Sequence, residues 1–166
     1  MKHKELTNHI QGSFLKKQFL EAFLVQSAYI ESLLKLYIDY TFFLETEGAS
    51  FTNKMLDTFR ESVERYGMAQ VVSFLYKSEL ITDEQKKLLD SYRVRRNKVM
   101  HDLLGEINDI RFEEELEAIC KKGTEIIENK AFKEMAELIE NYDGGAEEST
   151  QSKSKQKPKR KVVSPK

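Results

Sequence analysis

The sequence is short of the residues that interrupt helices. Its 166 residues include only two prolines and seven glycines, and two of the glycines form the pair Gly144-Gly145. Because proline and glycine end helices and form tight turns, this shortage argues against many short strands and favours a few long helices. The length suits one domain, and a hydrophobic fraction of 40% is enough to build a core.

Cysteine and long apolar runs are also scarce. Cys120 is the only cysteine, so no intramolecular disulfide can form and nothing indicates an oxidising compartment. The N-terminus has no apolar stretch suited to a signal peptide. The most apolar segment, Phe14 to Leu44, contains charged residues such as Glu21 and Asp39, which exclude a membrane span. We therefore expect a cytoplasmic protein with no membrane partner.

Charge is unevenly distributed along the chain. Residues 144–166 contain seven Lys or Arg and two Glu, so residues 1–143 keep 20 basic and 26 acidic residues. An acidic domain argues against a broad, non-specific surface for nucleic acid. The segment 144–166 is rich in Ser, Gln and Lys and has almost no apolar residues, so burial cannot offset the entropy of ordering it. We predict a disordered basic tail over 144–166.

The hydrophobic pattern predicts an all-α bundle of about five helices over residues 13–143, behind a flexible N-terminus over 1–12. A long N-terminal helix, either continuous or interrupted by a kink or a break, covers about 13–45, and its wide apolar arc indicates contact with several neighbours or a second subunit. A second helix begins at a capping residue near Thr52, and Gly67 separates it from a short third helix.

Two further helical segments complete the predicted bundle. Thr82 and Gln85 have the spacing of a capping box, which opens a helix that reaches about Leu104. The last helical region covers residues 112–142, with a break near Gly123.

The helix that begins at Thr82 carries the strongest chemical signal. At about 100° per residue, its core stripe consists of Leu88, Tyr92, Val99 and Leu103. Arg96 falls at the edge of this stripe, where an apolar residue is expected, whereas His101 lies on the opposite side. A second arc mixes apolar and polar residues as protein interfaces do; it consists of Leu89, Arg93, Asn97, Met100 and Leu104.

The segment Arg96-Asn97-Lys98-Val99-Met100-His101 resembles the motif of the HEPN superfamily, an Arg, a polar residue, three residues and a His on a late helix of a small helical domain. The resemblance implies a helical bundle that forms a homodimer, with the two motif helices facing each other across a composite cleft. Many members are metal-independent ribonucleases, and others bind RNA or a protein partner without catalysis.

Metal-free RNA cleavage requires the residue types that this motif supplies. The 2′-hydroxyl of the RNA attacks the adjacent phosphate, and His101 can exchange a proton because histidine titrates near pH ~6.5. Arg96 has the planar fork that suits phosphate oxygens, and Asn97, one turn from His101, can orient the imidazole. A two-fold dimer would bring two copies of His101 to one cleft.

Positive charge near the motif predicts where RNA would bind. Arg93, Arg95 and Lys98 are the candidate RNA-binding residues, although a solvated charged face is an equally good interpretation. With Cys120 isolated and His3 and His9 near the N-terminus, no metal-ligand cluster is evident, so neither a metal nor another cofactor is expected.

Three functions compete for this sequence. The leading hypothesis is a homodimeric, metal-independent endoribonuclease that serves as a toxin or defence effector. The alternative is a non-catalytic HEPN-like dimer that binds RNA, an antitoxin or another protein partner. In that case Arg96 would form a structural ion pair, for example with Glu31, and His101 would be an ordinary exposed histidine. A helical module of a transcription regulator is the third option, but no convincing helix-turn-helix is present.

Overall fold

The computed structural model describes residues 3–46, 52–104 and 110–151. Within these ranges the chain is all-α, as predicted, and forms seven helices rather than about five. They are α1 (His3–Leu15), α2 (Phe19–Thr46), α3 (Asn53–Glu64), α4 (Met68–Lys77), α5 (Asp83–Leu104), α6 (Ile110–Glu128) and α7 (Lys130–Gln151). None of the helices in the described ranges has the length and apolar character needed to cross a membrane.

Helix α2 forms the centre of the bundle. It contacts α1, α3, α4, α6 and α7, which explains the wide apolar arc of its sequence. Its largest fully buried apolar side chains are Phe23, Ile30, Leu34 and Ile38. Neighbours within one chain cover most of this arc, but Leu20, Leu24 and Leu36 remain 41–47% exposed.

We expected a flexible stretch over 1–12, but its described part, from His3, belongs to helix α1, and residues 1 and 2 lie outside the described part of the chain. Ile10 is buried in α1 and joins the core, while the backbone N–H of His3 donates to Glu140 Oε1 in α7 at 2.7 Å. The helix predicted over 13–45 is split, because α1 ends at Leu15 and α2 begins at Phe19. Lys17 adopts a left-handed conformation (φ 57°), so the chain turns between α1 and α2.

The C-terminal helices also differ from the predicted boundaries. The break between α6 and α7 lies at Asn129, whose side chain accepts a hydrogen bond from the N–H of Ala131, and not at Gly123. Helix α7 continues to Gln151, past the Gly144-Gly145 pair where we expected the domain to end. The rest of the predicted tail, from residue 152, lies outside the described part of the chain.

Gly123 stays inside α6 because a close helix contact leaves no room for a side chain. A Cβ atom at this position would lie 2.4 Å from Oε1 of Gln26 and 3.3 Å from the ring of Tyr92. Gln26 is fully buried in α2, and its amide nitrogen donates to the carbonyl of Cys120 at 3.1 Å and to Thr124 Oγ1 at 3.0 Å. The glycine thus permits a buried polar contact between α2 and α6.

We predict that Gly123→Ala lowers the free energy of unfolding by about 1–3 kcal/mol, the usual cost of overpacking, because Gln26 must leave its two acceptors. The matched control is Gly12→Ala in α1, where a Cβ meets nothing within 4 Å. This control should be stabilised by about 0.5–1 kcal/mol through helix propensity. Chemical denaturation measures the free energy of unfolding of each variant. Equal stability of the two variants would contradict the proposed packing constraint at Gly123.

Candidate functional site

Helix α5, which carries the motif, is held by hydrogen bonds at its start and near its middle. The predicted capping box is present, since the N–H of Gln85 donates to Thr82 Oγ1 at 3.3 Å and the N–H of Thr82 donates to Gln85 Oε1 at 2.6 Å. Farther along, Tyr92 and Ser27 of α2 share a buried hydrogen bond of 2.9 Å between their hydroxyls. Burial raises the pKa of Tyr92 to about 12, so this phenol is protonated at neutral pH.

The buried face of α5 is rotated from the predicted stripe. Tyr92 and Val99 are fully buried as expected, but the fully buried leucine is Leu89, whereas Leu88 is only partly buried. Leu89 belonged to the arc that we interpreted as a protein interface. Since Leu89 is inside the bundle and Met100 packs against the core, this arc does not form a free interface surface.

Arg96 forms an ion pair with Glu31, the partner we considered for a structural role. Its Nη2 donates to Glu31 Oε2 at 3.1 Å, and the two side chains are each 23% exposed. The other carboxylate oxygen of Glu31 lies 3.3 Å from Nζ of Lys35. The Nε of Arg96 is buried and has no hydrogen-bond partner among the described residues. Arg96 therefore lies on the α2 side of α5 and keeps donor capacity that Glu31 does not use.

Asn97 and His101 lie on the outer part of α5. Both side chains are exposed, and His101 has no hydrogen bond or ion pair with any residue of the described ranges. They are four residues apart, so they share one helix face. Arg96 projects about 140° away from His101 around the helix. A single copy of α5 thus brings Asn97 and His101 together but separates them from Arg96.

The basic residues near the motif are paired with carboxylates. Arg93 Nε lies 3.2 Å from Asp90, and Lys86 lies 2.8 Å from the same carboxylate. The hydrogen bond from Lys86, assisted by Arg93, holds the pKa of Asp90 below its usual value, so Asp90 is ionised at neutral pH.

Glu115 of α6 is paired with Arg95 and Lys98, the other two candidate RNA-binding residues. Arg95 Nε lies 3.8 Å and Lys98 Nζ 3.5 Å from Glu115 of α6. Each of Asp90 and Glu115 is therefore shared by two cations, so the basic side chains are only partly neutralised.

Helices α5 and α6 border an open groove of about 560 Å³. Its lining consists of Asp90, Ser91, Val94, Arg95, Lys98, Glu115 and Lys122. Lys122 of α6 spans the groove and donates to Ser91 Oγ at 2.6 Å. Sequence reasoning missed Lys122, because it has no motif and its position depends on how α6 packs against α5.

No group of three or more His, Cys, Asp or Glu residues that could hold a metal ion occurs in ranges 3–46, 52–104 and 110–151. Comparison of the chain with protein-family models, curated proteins and solved structures finds no match. The resemblance to the HEPN superfamily therefore depends on the motif itself and its place on a late helix of an all-α bundle.

We predict that Arg96→Ala lowers the free energy of unfolding by about 1–2 kcal/mol, because it leaves the partly buried Glu31 without its hydrogen-bond donor. The matched control is Arg65→Ala, which removes an ion pair 3.9 Å long on an exposed helix surface. Such exposed pairs contribute only about 0–0.5 kcal/mol. A double-mutant cycle of Arg96→Ala with Glu31→Gln measures the coupling, and a coupling energy of zero would rule out the ion pair.

Proposed function

We propose that this protein is a homodimeric, metal-independent endoribonuclease that resembles HEPN ribonucleases and acts as a toxin or defence effector. The observation that supports it most is His101, a histidine exposed on α5 with no partner among the described residues and one turn from Asn97. A histidine with both ring nitrogens free can accept and donate protons to a substrate.

The proposed reaction uses two copies of His101. The imidazole of one protomer removes the proton of the RNA 2′-hydroxyl, and the resulting oxygen attacks the adjacent phosphorus. The bond between phosphorus and the 5′-oxygen breaks while the imidazolium of the partner protomer donates a proton to that oxygen. The products are a 2′,3′-cyclic phosphate and a 5′-hydroxyl end, so the reaction needs no co-reactant.

Arg96 and Glu31 have linked roles in this proposal. Arg96 stabilises the charge of the pentacoordinate phosphorus, as its position in the motif implies. Glu31 is a positioning residue, since it accepts from one guanidinium nitrogen at 3.1 Å and leaves the others as donors. Because Arg96 and His101 of one chain project to different sides of α5, the proposal places Arg96 against a phosphate held across the dimer cleft.

The second candidate is a non-catalytic HEPN-like dimer that binds RNA, an antitoxin or another protein partner. The observation that favours it is the Glu31 ion pair, which Lys35 extends at 3.3 Å. An arginine held in this way stabilises α2 against α5 without any need for a substrate. Under this alternative, Asn97 and His101 would contribute contact surface on the outer side of α5.

The decisive measurement is cleavage of a mixed single-stranded RNA pool in EDTA by wild type and His101→Ala, purified identically. We expect His101→Ala to reduce the rate by about 100-fold or more, the usual contribution of a general acid and base. The wild type should yield 2′,3′-cyclic phosphate ends. Because His101 is exposed, its replacement should change stability by no more than about 0.5 kcal/mol.

The matched control is His9→Ala, which removes an exposed histidine of α1 that lies 3.2 Å from Glu21. The His9→Ala variant should cleave RNA at the same rate as the wild type. Equal cleavage by wild type and His101→Ala would reveal a contaminating nuclease and reject the catalytic role. If a folded, dimeric wild type cleaves no RNA but purifies with a protein in equal amount, the non-catalytic function holds instead.

A further inference from the structure

The groove between α5 and α6 carries more positive charge than its carboxylates neutralise. Asp90 and Glu115 are the two carboxylates that line it. Three cationic side chains also line it, Arg95, Lys98 and Lys122, so the lining has one more positive than negative charge. Asp90 is in addition paired with Lys86 and Arg93, which lie outside the lining. This excess is notable because residues 1–143 carry 20 basic and 26 acidic residues. A local cationic groove on an acidic domain favours anion binding at one place over binding elsewhere.

Lys122 is the groove cation that is not engaged by a carboxylate of the described residues. Its ammonium group contacts a neutral hydroxyl, Ser91 Oγ, at 2.6 Å, and no carboxylate of the described residues forms an ion pair with it. Lys122 is also only partly exposed. An ammonium has three donors, so a phosphate oxygen in the groove can accept from Lys122 while Ser91 keeps its own hydrogen bond.

The helical register connects this groove to the proposed catalytic histidine. Ser91, Arg95 and Lys98 are spaced by four and three residues, so they form one edge of the groove along α5. His101 follows Lys98 by three residues and lies about one helical turn, ~5 Å, farther along. Arg96, by contrast, faces α2 through Glu31. His101 therefore lies toward the same side of α5 as the groove, whereas Arg96 lies on the other side.

We infer that the α5/α6 groove binds the phosphodiester backbone of single-stranded RNA, with Lys98 and Lys122 contacting phosphates and guiding the strand to His101. This inference rests on the proposed ribonuclease function, since it assigns a path to that enzyme's substrate. Val94, 61% exposed in the groove, supplies an apolar surface for a ribose or base. Contacts to phosphate and sugar carry no base specificity, so the groove accepts RNA of mixed sequence.

The test measures binding separately from cleavage. The probe is a fluorescent single-stranded 2′-O-methyl RNA, which lacks the attacking hydroxyl, and anisotropy is recorded with the full chain over a range of salt concentrations. Lys122→Gln should weaken binding about 3- to 10-fold and reduce the slope of log K against log salt by about 0.7, the value for one phosphate contact in a single strand. Lys122→Arg keeps the charge and should restore binding.

The matched control is Lys121→Gln. Lys121 is the neighbouring residue of α6, 62% exposed, and pairs with Glu117 at 2.7 Å. It has the same sequence distance from the basic tail but does not line the groove, so the substitution should leave binding unchanged. If Lys121→Gln and Lys122→Gln weaken binding of the probe equally, binding in the groove is rejected, because the loss would then depend on total charge and not on position.

The outcomes for the groove and for the ribonuclease function are distinct. If Lys122→Gln binds the probe as wild type while wild type cleaves RNA through His101, the groove is rejected and the ribonuclease function stands. If Lys122→Gln loses binding of the probe but neither wild type nor any variant cleaves RNA, RNA binding in the groove is supported and the ribonuclease function is rejected. Two competitors test what the groove recognises. If polyglutamate displaces the probe as effectively as unlabelled RNA does, the groove binds acidic peptides and phosphodiester recognition is rejected. If inorganic phosphate at millimolar concentration displaces the probe equally well, binding of an RNA strand in the groove is rejected.

Discussion

Helix α5 is held against α2 by two polar contacts that lie one helical turn apart on both helices. Tyr92 shares a buried hydrogen bond with Ser27, and Arg96 forms an ion pair with Glu31 four residues farther along each helix. Helix α5 packs chiefly against α4 and α6, and its two contacts with α2 are made by one face of the helix because both spacings are four residues.

The packing of α5 divides its charged residues between two environments. Arg96 faces α2, where it is partly buried beside Glu31, whereas Arg95 and Lys98 face α6 and share Glu115. His101 lies outside both contacts. Under the proposed function, the arginine that stabilises the phosphorus and the basic residues that bind the strand would therefore lie on different sides of one helix, and a linear motif does not reveal this separation.

Sequence patterns were most informative where local chemistry decides the structure. The capping box at Thr82 and Gln85 located the start of α5, since both hydrogen bonds form within one turn. The break predicted at Gly123 was wrong because the helix propensity of glycine is a weak preference, and packing against Gln26 overrides it. The helix at His3–Leu15 was missed for a similar reason, since Ile10, its buried apolar residue, enters the core only because α1 packs against α2.

The sequence by itself determined the all-α class and the extent of the motif helix, and it contains the His, Asn and Arg from which the ribonuclease function is proposed. These properties follow from side-chain periodicity, capping and the chemistry of His, Asn and Arg, which act within a few residues of each other. Only the tertiary structure decided that Glu31 binds Arg96 and that Lys122 of α6 meets Ser91 of α5. Such pairs are 65 and 31 residues apart in the chain, and helix packing, not local spacing, brings them together.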